Sequence, residues 1–70
     1  MENRTWGLQI AGQTIASFTS DIADCFTAGE AISRARPGQK VEIICTWHNP
    51  DGDNVCRSSF FIDGRFSSDL

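Results

Sequence analysis

Seventy residues with five phenylalanines, two tryptophans and 40% apolar content make one small folded domain rather than a disordered chain, with a core that supplies only roughly 3 to 5 kcal/mol of net stability. A formal charge of −3 repels a phosphate backbone, and Arg34 with Arg36 is too small a basic pair to reverse that, so direct nucleic-acid binding is disfavoured. No apolar run of about 18 residues is present to span a membrane, the first residues lack the apolar stretch of a signal peptide, and three irregularly spaced cysteines do not form a disulfide framework; the expectation is a reduced, cytoplasmic protein.

In chain order, Trp6, Leu8 and Ile10 alternate with Thr5, Gly7 and Gln9, and Ala11-Gly12 offers a two-residue turn. A return strand from Gln13 to Phe18 places Ile15 opposite Leu8. Gly7 inside the first strand marks a bulge or a close backbone approach. Ile22, Cys25 and Phe26 then fall at helical spacing, predicting a helix from about Asp21 through Ala31, Ile32 and Ala35. Arg34 and Arg36 suit its last turn, and Pro37-Gly38 ends it. Thr27-Ala28-Gly29-Glu30 has the form of a capping box, which makes the region of Thr27 the weak point.

Val41, Ile43, Cys45 and Trp47 alternate with polar neighbours, and the turn formers NPDGDN follow. Pairing Asn49 with Asn54 sets Trp47 against Cys56, Cys45 against Ser58, Ile43 against Phe60 and Val41 against Ile62, with the apolar sets on one side. Asp63-Gly64 signals a type I′ turn into a short fifth strand at Arg65-Phe66, before a fraying tail from Ser67 to Leu70. The fold class is α+β, a four- to five-stranded antiparallel sheet in β-β-α-β-β order with one helix across it. The expected core is Leu8, Ile15, Ile32, Val41, Ile43, Cys45, Trp47, Phe60 and Ile62.

Signals for chemistry are weak. Cys25, Cys45, Cys56 and His48 are suitable zinc ligands by type, but Cys45 and His48 have opposite strand parity, so the cysteines read as small core residues and no metal is expected. Asn49-x-Asp51-x-Asp53 opens like a calcium loop yet has Asn54 where glycine belongs and Phe60 where the bidentate acid belongs. No cue brings a serine or cysteine to the single histidine, and AGQT and PGQK are turn and helix-stop chemistry rather than phosphate cradles. The expectation is a protein that is not an enzyme and takes no cofactor.

The other strand parity carries Ile44, Val55, Phe61 and Phe66, a mostly apolar set on the side expected to be solvated. That face and the acidic turn are the candidate partner-binding residues: Asp51, Asp53, Ile44, Phe61 and Phe66. No motif ties the chain to a named family. In size, acidity and architecture it resembles the tiny inhibitors encoded by phages and mobile elements, anti-CRISPR proteins among them, which implies action by occupying a site on another protein. The expected function is thus a non-catalytic protein-binding module whose acids (Asp51, Asp53, Asp63, Asp21, Asp24, Glu30) meet a basic partner surface, such as one that holds nucleic acid. The alternatives are a self-associating domain, pairing through the Ile44, Phe61 and Phe66 face or a sheet edge, and a metal-dependent regulator.

Overall fold

The computed structural model describes residues 3–19 and 22–68. The elements are β1 (Asn3–Ile10), β2 (Gln13–Phe18), α1 (Ile22–Ala35), β3 (Val41–Asn49), β4 (Gly52–Ile62) and β5 (Arg65–Ser68). All five strands join one antiparallel sheet in the order β2-β1-β3-β4-β5, and α1 touches every strand from one face, so the α+β class holds. α1 carries the chain from edge strand β2 past β1 to β3.

Two of the hairpins are set by type I′ turns, whose two central residues must both take positive φ to match the twist of the strands. Ala11 and Gly12 sit at φ 52° and 80°, and Asp63 and Gly64 at 53° and 79°. The second turn is fastened under the helix. Ser33 Oγ accepts from the Gly64 amide at 2.8 Å, and Asp63 Oδ1 accepts from the Gly38 amide at 2.8 Å. β5 runs through Ser68, further than the sequence predicts, while Asp69 and Leu70 lie outside the described residues.

The helix is continuous from Ile22 to Ala35; its expected start at Asp21 lies outside the described residues. Thr27 is not a cap. Its hydroxyl donates to the Ala23 carbonyl one turn back at 3.0 Å, a bond open to a mid-helix threonine that leaves the ladder intact. Cys25, Gly29 and Ser33 form the buried stripe. Gly29 is where sheet and helix come closest: a Cβ there would stand 3.1 Å from the Phe61 ring and 3.2 Å from Leu8 Cδ2.

Leu8, Cys25, Val41, Ile43 and Phe61 form the buried cluster, with Ile32, Phe26, Ala16 and Phe18 against it. Phe61 therefore stands where Phe60 and Ile62 were expected. The cause is register. Asn49 pairs Gly52 across a Pro50-Asp51 turn, two residues shorter than the loop the turn formers suggest, so Trp47 faces Asn54 and Cys45 faces Cys56. Between Cys45 and Ile43 the partner on β4 then jumps from Cys56 to Ser59, a bulge that inserts one residue. Beyond it Val41 faces Phe61, and Phe60 turns outward, where the Lys40 ammonium lies 4.4 Å from its ring centre. In the first hairpin a similar irregularity between Leu8 and Gln9 sets Leu8 against Ala16, and Ile15 is 37% exposed rather than in the core.

Element lengths decide what stays uncovered. A 14-residue helix is about 21 Å long, whereas the molecule extends 39 Å and β4 alone has 11 residues. α1 ends over the Val41 end of β3, so the β3–β4 tip projects beyond the helix N-terminus.

Candidate functional site

The uncovered end of the sheet carries an apolar cleft of about 200 Å³ between the helix N-terminus and the strands. Its walls are Trp6 from β1, Cys45 and Trp47 from β3, Cys56 from β4, and Ile22 and Phe26 from α1. Alternation puts Trp6, Cys45, Trp47 and Cys56 on the helix face, but no helical turn reaches them. Trp47 is consequently half-buried rather than core, and the guanidinium of Arg4, its partner on β1, lies 5.2 Å from its ring centre. Ile22 is 36% exposed at the cleft mouth.

Charge is distributed unevenly around this end. Asp24 in the first turn of α1, Asp51 at the tip and Asp53 just after it are all exposed. Four of the six cationic side chains, Arg34, Arg36, Lys40 and Arg65, sit at the opposite end near the helix C-terminus, where Arg34 pairs with Glu30.

Three of the candidate binding residues need correction or refinement. Ile44 and Phe61, expected on a solvated face, are 5% and 4% exposed. Phe61 is buried because the bulge turns it beneath the helix. Ile44 does face away from α1, but it lies between Gly7 on β1 and the bulge on β4, and Arg57 Nη1 reaches across β3 to Gln9 Oε1 at 3.5 Å. Phe66 is 49% exposed, yet it faces Phe61 on the helix side and packs at 5.3 Å from Phe26 and 5.5 Å from Phe61, ring centre to ring centre. The three do not form one patch. Val55, at 53%, is the large apolar residue most open to water.

On the face away from α1 the fold brings together a constellation that sequence reasoning missed. His48 Nε2 is 3.0 Å from Thr5 Oγ1, and His48 Nδ1 is 3.1 Å from Asp53 Oδ1. This is the order hydroxyl, imidazole, carboxylate of an activated nucleophile. It lies on an open sheet surface with His48 and Asp53 about half exposed, and none of the three depressions of the described surface is lined by any of its members. A substrate carbonyl would meet water there rather than an enclosed set of amide donors, and electrostatic stabilisation of an oxyanion depends on that enclosure.

The cysteines are thiols. Burial pushes Cys25 up to about 11. Cys45 and Cys56 are cross-strand partners on the helix face, whereas His48 points to the other face, so these do not converge on one ion. Among the described residues no group of three or more His, Cys, Asp or Glu is placed to hold a metal. No helix among them is long and apolar enough to cross a membrane.

The cleft could have been found from element lengths, since a helix of 14 residues cannot cover a hairpin whose second strand has 11. The Thr5, His48, Asp53 chain depends on β1 pairing with β3, a long-range contact that no local pattern announces. No family model matches the chain, and comparison with curated proteins and with solved structures finds no match for it.

Proposed function

We propose that the protein is a non-catalytic docking module that acts by occupying a basic surface of a protein partner through its tip end. The observation that carries this reading is the meeting of an apolar cleft walled by two tryptophans with the exposed carboxylates of Asp24, Asp51 and Asp53. Tryptophan-lined clefts desolvate well and dominate binding energy, while rim carboxylates steer a cationic partner and set specificity. A partner that normally holds nucleic acid offers both features, exposed cations and stacking aromatic or apolar groups, so occupancy of that surface would inhibit it. Size and acidity shared with small phage-encoded inhibitors agree with this mode.

The test uses immobilised protein and extract from its host at low and high salt. A partner retained at low salt, weakened at high salt, and lost from both the Asp24→Lys, Asp51→Lys variant and the Ile22→Lys variant is expected. All three substituted side chains are exposed, so circular dichroism should show an unchanged fold. Retention indifferent to salt and to both variants would refute the assignment. The non-catalytic part is checked separately: hydrolysis of an activated ester by wild type should equal that by His48→Ala.

A further inference from the structure

We infer that two copies of this chain pair edge to edge through the first half of β4, antiparallel, about a two-fold axis at Val55. β5 pairs with β4 only from Ser59 to Ile62, and among the described residues no strand lies against the outer edge of Gly52 to Ser58. Asn49 and Gly52 oppose one another across a two-residue turn, so they exchange hydrogen bonds, and alternation from there turns the amides and carbonyls of Asp53, Val55 and Arg57 away from β3. That row is a template for another strand.

The occupant is specified by the residues on it. Val55 is the midpoint of Gly52 to Ser58, so an antiparallel copy centred there sets Val55 against Val55 and Asp53 against Arg57, twice. Opposite residues of an antiparallel pair share a face, and the face here is the one away from α1, where Asp53 already meets His48 and Arg57 meets Gln9. Asp53 presents only Oδ1 to His48, and a guanidinium has five N–H donors of which Gln9 engages one at 3.5 Å. Both groups retain capacity for the second copy. The pairing also covers Val55, the most exposed large apolar side chain. β5 ends opposite Ser59 and so bounds the open segment, leaving room for a strand whose own turn begins at Asp51. The other edge, β2, has the sequence QTIASF with no charge to fix a register.

A two-fold axis normal to the sheet keeps both helices on one side. The two apolar clefts, each reaching Cys56 on β4, would then lie on the same face of a ten-stranded sheet.

Sedimentation velocity over a range of concentrations tests the inference. Wild type should show reversible dimerisation. Val55→Pro should abolish it with circular dichroism unchanged, because the amide it removes points outward and proline is tolerated on an edge. Asp53→Arg should weaken the dimer by roughly tenfold through two new like-charge pairs, and Asp53→Arg with Arg57→Asp should restore it. A chain that stays monomeric at every concentration, a dimer that survives Val55→Pro, or a charge swap that fails to restore association would overturn the pairing. If Val55→Pro unfolds the protein, the charge pair alone decides.

Discussion

Replacing Ser33 with alanine should cost far more than loss of a serine from a helix ordinarily does. Ser33 is 0% exposed; its hydroxyl donates to the Glu30 carbonyl at 2.9 Å and accepts from the Gly64 amide at 2.8 Å. The first bond is dispensable, because that carbonyl also serves the helix ladder. The second is the only tie that the Gly64 amide has to the helix, and the Arg34 stem lies over this glycine closely enough that a Cβ would stand 2.6 Å from its Cγ. Water has little room to replace the hydroxyl. A lost hydrogen bond of about 1 kcal/mol and an uncompensated donor of about 1 to 3 kcal/mol, offset by about 0.5 kcal/mol of helix propensity, give a net loss of about 1.5 to 3 kcal/mol. That is a large part of the stability expected for 70 residues. Urea denaturation followed by tryptophan fluorescence measures it, with an unchanged m-value as the sign that only stability moved. Thr27→Ala is the control, since its hydroxyl bonds a helix carbonyl while exposed to water and should be near neutral. If the two variants lose the same amount, the tie between helix and β4–β5 turn does not hold the fold.

Other outcomes follow from backbone, titration and register. Ala11 sits at φ 52°, so Ala11→Asn should raise stability by roughly 0.5 to 1 kcal/mol in the same assay, and a loss would contradict the type I′ geometry. The unfolded chain releases the Cys25 proton near 9.0 and the folded chain near 11, so the unfolded state binds fewer protons between these values and stability falls as pH rises through them, by roughly 3 kcal/mol at most. Urea midpoints at about pH 8 and about pH 10.5 should diverge for wild type and less so for Cys25→Ala; equal divergence would assign the effect elsewhere. Diamide, taking two electrons and two protons, should close a Cys45–Cys56 disulfide with a mass loss of about 2 Da, because opposite residues of a ladder hold their Cα atoms about 4.5 to 5.5 Å apart, within the range a disulfide spans. Peptide mapping that found Cys25 in the bridge would show the register to be wrong.

Local patterns sufficed for the α+β class, the helix with its stop at Pro37-Gly38, both type I′ turns and most of the buried residues of β1 and β3. Each depends on neighbours in sequence: alternation for Leu8 and for Val41, Ile43 and Cys45, and the Asp63-Gly64 pair for a positive-φ turn. The reading failed where two distant constraints meet. NPDGDN contains more turn formers than its turn uses, and proline followed by aspartate closes the hairpin in two residues, leaving Asp53 and Asn54 as strand. Parity then assigned Phe60 and Ile62 to the core, and the bulge gave that place to Phe61. The candidate site suffered from the same error. Asp51 and Asp53 are exposed where the turn chemistry put them, but Ile44 and Phe61 are buried, and the half-covered tryptophans follow from a helix too short for its sheet.

The inserted residue in β4 has a meaning for how this sequence tolerates change. β4 is governed from both ends: the Pro50-Asp51 turn fixes the frame of Gly52 to Cys56, and the Asp63-Gly64 turn, tied to Ser33 and Gly38, fixes the frame of Ser59 to Ile62. Two frames imposed independently on one strand differ by one residue, and the bulge at Arg57-Ser58 is the slack that reconciles them. Substitutions there should be absorbed readily. A deletion of one residue would force the two frames to agree, setting either Phe61 outside or the tip carboxylates and their neighbours on the wrong face, so the length of this strand is more strictly specified than its composition.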